Sequence, residues 1–454
     1  MVRQYVKYNN SMASSGKPLG FFSLTMIVVS LVVGMGIFGT PAKVAATSGS
    51  SIIFFSVWLT GGLVALCGAL TYAEIGVRLP VMGGYYKIFA ECYHPAVGFT
   101  VNALILISNA ASLGVVALIG ADYVSDLLFG KPSGQGFTVA VSIIAVCLFY
   151  TVNLMGLQTS SRMQNILTVV KTAVMILLIA SVLKGIMVEP HGYNENSSVY
   201  KIEDHGWLKL YMISLVPVFF SYGGYQQTIN FGSEVQQTSI FPKAIISGIF
   251  ISILLYVGIN FAYTQVIGYE RMKNASAIGA LLCEAWFGKT GAKVFDGLMF
   301  LSVLAYVNVS LMSNPRVMYA MSRDQVLPAF FSKRNSKTLA LTGGLTVFAI
   351  ITIIITFFGK EVDNILGFSI FLDSIGMSTS AATLFILRKR RKNEEAVSGG
   401  WTKWTPLLAA IFVLAYAGVA VAVIIDKPLA ALTGVILLLL LTIVYFIFYY
   451  RKKA

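Results

Sequence analysis

The stretch Val32-Val33-Gly34-Met35-Gly36-Ile37-Phe38-Gly39 lies in the middle of the first long apolar segment of the chain. It places three glycines within six residues where a membrane-spanning helix would run without interruption. Glycine is a poor interior helix residue and releases the backbone to other conformations. In hydrocarbon, a broken helix survives only where its loose N–H and C=O groups face protein or a water-filled cavity. A second interruption, Phe220-Ser221-Tyr222-Gly223-Gly224-Tyr225, falls inside an apolar segment of the second half. Paired interruptions at matching places in two halves point to a solute site near the membrane midplane. Small residues also serve close helix packing in membranes. Two breaks in register, one with Pro217 upstream, favour the site.

Of the 454 residues, 57% are hydrophobic and 11% charged, and the mean hydropathy is +0.78. Soluble domains carry about 25% charged residues, so the chain reads as a polytopic membrane protein. The formal charge of +14 is spread over short connections and the two ends of the chain and forms no face. That pattern belongs to topology and excludes nucleic acid as a partner. The four cysteines (Cys67, Cys92, Cys147, Cys283) have no metal spacing and no disulfide framework. The histidines (His94, His191, His205) all fall in connections. An intramembrane enzyme needs a buried nucleophile–base set or a metal cluster, and neither is present, so no enzyme, metal or cofactor is expected. No cleavable signal peptide is expected either, because residues 1–17 are polar and the first apolar segment is too long.

A span needs about 20 apolar residues. Twelve segments qualify, at 20–46, 51–77, 96–129, 137–156, 160–187, 208–235, 241–267, 291–322, 339–358, 362–387, 404–425 and 429–450. With the N-terminus inside, the cytoplasmic connections and tails collect 20 of the 33 basic residues, including the run Arg388-Lys389-Arg390-Arg391-Lys392. Both termini are therefore placed in the cytoplasm, and the basic run is read as an inside anchor able to hold anionic lipid. Five spans precede the loop at 188–207 and the second break opens the next five. An odd repeat unit inserts upside-down relative to its copy. The expected organisation is a cytoplasmic tail (1–19), a first inverted repeat (20–187), an outer loop (188–207) and a second repeat (208–387). A basic cytoplasmic loop (388–403), two appended spans (404–450) and a tail (451–454) follow. The fold class is all-α, with twelve transmembrane helices, a 5+5 inverted repeat and helices 1 and 6 discontinuous.

At the first break a new half-helix is expected near Ile37, with Pro41 in its first turns, where a missing N–H costs little. Its unpaired amides, from Met35 to Phe38, and the positive helix end suit a carboxylate. The carbonyls that end the preceding half-helix, and those near Phe220–Gly223, suit an ammonium group. A free amino acid carries both groups on one carbon. Neither break contains Asp, Glu, Lys or Arg, and none is needed.

Several further stretches resemble the amino acid–polyamine–organocation superfamily, in particular its bacterial amino acid permeases and the L-type exchangers. They are Gly34-Met35-Gly36-Ile37-Phe38, Ala69-Leu70-Thr71-Tyr72-Ala73-Glu74-Ile75-Gly76 with Pro80 and Gly83-Gly84, and Met163-Gln164-Asn165-Ile166 leading to Lys171. Phe220-Ser221-Tyr222-Gly223-Gly224 and Ser322-Arg323-Asp324-Gln325-Val326-Leu327-Pro328 complete the set. The resemblance covers spans 1 to 8 in order. It implies a leucine-transporter-type fold and alternating access. It assigns the carboxylate to the Met35 and Gly36 amides beside Gly34, and the amine to the carbonyls of Val32, Phe220, Ser221 and Gly223. Phe220 is the implied aromatic lid. Met35 departs from the family pattern of Ser, Thr or Ala, which removes a hydroxyl and partly fills the pocket.

Lys171 is read as the one basic residue well inside a span, and an ammonium at that depth must face protein. The resemblance gives it the part of a built-in substitute for sodium, bridging spans 1, 5 and 8, with Asn308 and Ser310 as span-8 candidates. It argues against sodium coupling and leaves proton coupling and exchange both open. Asp373 is a candidate for binding a cationic side chain or a proton; Asp296 is placed at the outer interface and Glu74 is read as structural. Asn9, Asn196 and Asn274 match glycosylation sequons. The expectation is a sodium-independent amino acid transporter of the cell membrane, monomeric, with membrane lipid and protons as further partners. The alternatives are an obligate exchanger, a polyamine or organic-cation transporter, and a receptor on the same fold. Cys283 is the one weak candidate for linking an ancillary chain.

Overall fold

The computed structural model describes residues 18–131, 133–184, 206–275, 278–358, 362–390, 400–426 and 428–453. The tail 1–17 with Asn9, most of the 188–207 loop with Asn196, and Arg391-Lys392 of the basic run lie outside the described residues.

The first half comprises α1 (Phe21–Val32), α2 (Gly36–Ser48), α3 (Ser51–Arg78), α4 (Gly84–Cys92), α5 (Pro95–Phe129), α6 (Gln135–Leu154) and α7 (Leu157–Ile179). The second half comprises α8 (Trp207–Ser221), α9 (Ile240–Val266), α10 (Ile278–Phe287), α11 (Gly291–Arg323), α12 (Thr342–Phe358), α13 (Val362–Arg390), α14 (Thr405–Asp426) and α15 (Pro428–Lys453). Among the described residues the only β pairings are two isolated bridges.

Local sequence sets the helix ends. Ser50 caps α3 by accepting from Ile53 N–H at 3.3 Å. Pro95 opens α5, where its missing N–H costs nothing, and Gly130 closes it in left-handed geometry. Seven described helices are long and apolar enough to cross a membrane, and the bent pair α1–α2 makes an eighth. The lipid-facing side is visible in exposed side chains such as Ile52, Leu63, Ile144, Ile166 and Leu414. Lipid is as apolar as these side chains, so helix association rests on packing and interhelical hydrogen bonds.

The interior divides into two apolar cores. One joins α1, α2, α3, α8 and α9 through Val28, Trp58, Tyr72, Val218 and Tyr256. The other joins α5, α6, α11 and α12 through Leu113, Phe149, Val307 and Phe348. Met35 and Tyr306 are partly buried and pack against both. Met35 thus sits at the seam where the two cores meet.

Candidate functional site

α1 ends at Val32 and Val33 turns extended, at φ −77° and ψ 90°. Met35 is back in helical geometry and α2 begins at Gly36, bent 43° from α1. A helix start leaves its first amides without intrahelical acceptors. Phe38 N–H finds one in the Met35 carbonyl, at 3.0 Å. The amides of Met35, Gly36 and Ile37 donate to no backbone acceptor among the described residues. The Met35–Phe38 set expected from the sequence is therefore narrowed to three. Three N–H groups at the positive end of a helix can hold an anion. A Cβ added to Gly34 would meet nothing within 4 Å, and one on Gly36 would make only ordinary contacts, at 3.6 Å with Ser221 Oγ and 3.7 Å with Thr40 Oγ1. Close helix packing is not what these two glycines serve.

α8 runs through Pro217 to Ser221, and the chain resumes as a 3-10 turn, Tyr225–Asn230. Between them Gly224 takes φ +104°, and a Cβ there would stand 2.4 Å from Leu31 O. The two breaks therefore touch. Gly34, Met35, Gly36 and Gly223 are partly exposed, Val32 and Ser221 are buried, and Phe220 is 43% exposed.

The carbonyls proposed for an amine are not all vacant. Tyr256 of α9, fully buried, places its hydroxyl 2.8 Å from Val32 O and 3.0 Å from Ser221 O. Its ring packs against Trp58 and Tyr222. One hydroxyl proton is shared between two carbonyls, each with two lone pairs, so capacity for a further donor remains. Phe220 O accepts from Gly223 N–H at 3.1 Å, and Gly223 O accepts no described backbone hydrogen bond.

α7 presents Gln164, Thr168 and Lys171 on one face, all fully buried. Lys171 Nζ donates to Val33 O, the last carbonyl before the first break. A lysine there sets an N–H donor against the carbonyl end of α1. Gln164 Nε2 donates to Ser30 Oγ at 2.5 Å, and Gln164 Oε1 accepts from Asn308 Nδ2 at 2.7 Å. Asn308 Oδ1 in turn accepts from Asn153 Nδ2 at 3.0 Å. The row runs from α6 through α11 and α7 to α1. Among the described residues no hydrogen bond joins Lys171 to Asn308 or Ser310, so the lysine joins α7 to α1 and Gln164 makes the link to α11.

At the Leu19 end the two halves close on each other. Leu19 N–H donates to Glu234 O at 2.7 Å and Gln236 N–H to Leu19 O at 3.0 Å. Arg316 pairs with the Glu234 carboxylate through two nitrogens, the longer contact at 3.0 Å. Lys87 pairs with Asp324 at 2.5 Å. Arg316 is 7% exposed within α11, so the reading of Lys171 as the one basic residue inside a span is corrected. It was missed because Arg316 lies only seven residues from Arg323, where a snorkelling side chain is the ordinary expectation. A buried arginine in an apolar helix is nonetheless a usable sign. A cavity of about 420 Å³ is lined by Lys87, Glu234 and Arg316 of these pairs together with Asn153, Ser160 and Arg334 among others, and no break residue lines it.

Glu74 is fully buried and accepts from Arg78 at 2.7 Å and from Arg388 at 2.6 and 2.8 Å. It is a structural anchor, and it draws Arg388 out of the basic run. None of the four cysteines is in a disulfide, and Cys283 is buried. Tyr256 had no sign in the sequence, since a tyrosine in an apolar run is core by default.

The family model described as amino acid permease matches residues 19–448. The serine/threonine exchanger SteT of Bacillus subtilis (strain 168) is 27% identical over 403 residues, 87% of this chain and 88% of its own length. The large neutral amino acids transporter small subunit 2 of Homo sapiens is 24% identical over 380 residues, 83% of this chain and 70% of its own. The cystine/glutamate transporter of Homo sapiens is 25% identical over 371 residues, 80% and 72% of the two chains. These relatives are transporters and not enzymes, and with the family match spanning nearly the whole sequence, the chain belongs to the amino acid permease family of multi-pass membrane proteins.

Proposed function

We propose that this protein exchanges amino acids across the cell membrane by alternating access, without sodium at the Lys171 position. The substrate carboxylate lies on the amides of Met35, Gly36 and Ile37. The amine is taken by the carbonyls of Val32, Ser221 and Gly223, with Tyr256 holding the first two in register. Phe220 closes over the substrate. The observation that carries this reading is the pairing of three unused amides with a carbonyl cluster across touching breaks that contain no charged side chain. An α-amino acid zwitterion satisfies both sets. A polyamine leaves the amides unpaired, which disfavours that alternative.

Lys171 supports sodium independence, because its ammonium already sits on the carbonyl end of α1. The relative named as a serine/threonine exchanger supports exchange over gradient-driven uptake. The twelve-span, 5+5 organisation with both termini cytoplasmic is part of the same proposal. In it the Glu234–Arg316 pair closes the cytoplasmic side, and a single chain is the working unit. The test is uptake into proteoliposomes from a panel of labelled amino acids and polyamines. Uptake is expected only with unlabelled amino acid inside, unchanged when choline replaces sodium. Failure of the whole panel to be transported or bound overturns the reading.

A further inference from the structure

Beside the turn that follows the second break lies a separate small cavity, with room for about one water molecule. It is enclosed by Asn102 and Asn109 of α5, Gln226 of the 3-10 turn, Asn314 of α11 and Asp373 of α13. The amides there are not equally satisfied. Asn109 Nδ2 donates to Asn314 Oδ1 at 2.7 Å, and Asn314 Nδ2 donates to Ser310 O at 2.9 Å. Asn102 Nδ2 donates to Gly98 O at 2.9 Å, yet Asn102 Oδ1 has no hydrogen-bond partner. Gln226 Oε1 has none either. The two residues are 1% and 6% exposed. Among the described residues Asp373 makes no ion pair, and no Lys or Arg lines the cavity. The titratable groups close enough to feel its charge are Tyr85, Tyr306 and Tyr416.

The cavity thus sets a carboxylate with no cationic partner among the described residues beside two unmet amide oxygens, and the donors on its wall are the neutral groups of Tyr85, Gln226, Gln227 and Asn230. An unpaired carboxylate in such a place is costly, and so is each unmet amide oxygen. We propose that Asp373 is a proton-binding site, holding one proton that is donated either to one of the unmet oxygens of Asn102 and Gln226 or to a single water whose two O–H groups reach both. Hard cations surround themselves with about six or more oxygen ligands, and a space of about one water, with Ile105, Leu106 and Val317 among its wall residues, has no room for such a shell. A proton meets the need where an alkali ion does not. Because Gln226 belongs to the turn that follows the second break, the proton fastens that turn to α5 and α13. Its loss leaves a bare carboxylate facing two acceptors and loosens the turn. The site is distinct from the two breaks, and its test does not depend on transport.

Infrared difference spectra of the purified protein, taken between acid and alkaline buffer, read a protonated carboxyl directly. The chain has 19 Asp and Glu residues, so the readout is the spectrum of the wild type minus that of Asp373→Asn: one carboxylic C=O component is expected to be lost in the variant, with the thermal midpoint of the wild type the same in sodium, potassium and choline. If Asp373→Asn does not fold, Gln226→Met serves instead, and the band is expected to shift because the acid loses an acceptor. A band unmoved in these variants, or a sodium- or potassium-dependent rise in midpoint abolished by Asp373→Asn, overturns the proposal.

Discussion

Gly224 combines φ +104° with a backbone oxygen 2.4 Å from the place of a Cβ, so it has no tolerated replacement. Left-handed geometry alone costs a side chain about 1–2 kcal/mol, and the Leu31 carbonyl cannot move without distorting α1. Gly224→Ala is expected to abolish uptake and lower the thermal midpoint, while Gly34→Ala, with open space around it, folds normally and reports only on substrate. Equal midpoints for the two variants would contradict this account. Lys171→Met removes the charge on Val33 O and is expected to abolish exchange in the same uptake assay with the protein still folded. Lys171 was legible because it stands alone in a long apolar run. Tyr256 was not, since it is one of 22 tyrosines and its partners Val32 O and Ser221 O are backbone atoms far away in sequence.

At the scale of elements, α7 is held to α1 and α11 by a buried row of amides, and such rows are stable only when complete. Asn308→Ala removes the donor to Gln164 and the acceptor of Asn153 together. Each unmet buried group costs about 1–3 kcal/mol, so a clear fall in thermal midpoint is expected, larger than for Gln164→Ala, which keeps the Asn153–Asn308 bond. At the Leu19 end, Arg316→Ala leaves Glu234 without its charge partner; breaking a buried pair costs about 3–5 kcal/mol. The expected readout is faster thiol labelling of a cysteine placed at Gln236, partly reversed by adding Glu234→Gln. The helices themselves were legible from apolar length and glycine interruptions. This closure was not, because its partners lie 82 residues apart and one of them sits in a span.

For the whole molecule, α5 and α11 contribute side chains to both apolar cores and tie them together, and Met35 and Tyr306 lie where the two cores meet. Met35 therefore fills part of the seam in which a substrate side chain would lie. Met35→Ala is expected to shift preference toward larger amino acids, seen as a rise in their relative uptake across a panel; an unchanged order would place the side-chain pocket elsewhere. The membrane class followed from composition, the two breaks from glycine placement, and the family resemblance from motifs such as Ala69–Gly76 and Ser322–Pro328. The two-core division depends on which helix faces meet, and composition does not encode that.

The most direct test of the central claim, that the backbone of the two breaks recognises an α-amino acid, is competition by blocked analogues in exchange-loaded proteoliposomes. Once a transported amino acid is known, its methyl ester and its N-acetyl form are added outside at matched concentration. The account predicts that the free amino acid competes and that both blocked forms fail. The ester cannot present a carboxylate to the Met35, Gly36 and Ile37 amides, and the acetyl form has no ammonium for the carbonyls. Equal competition by either blocked form would contradict it.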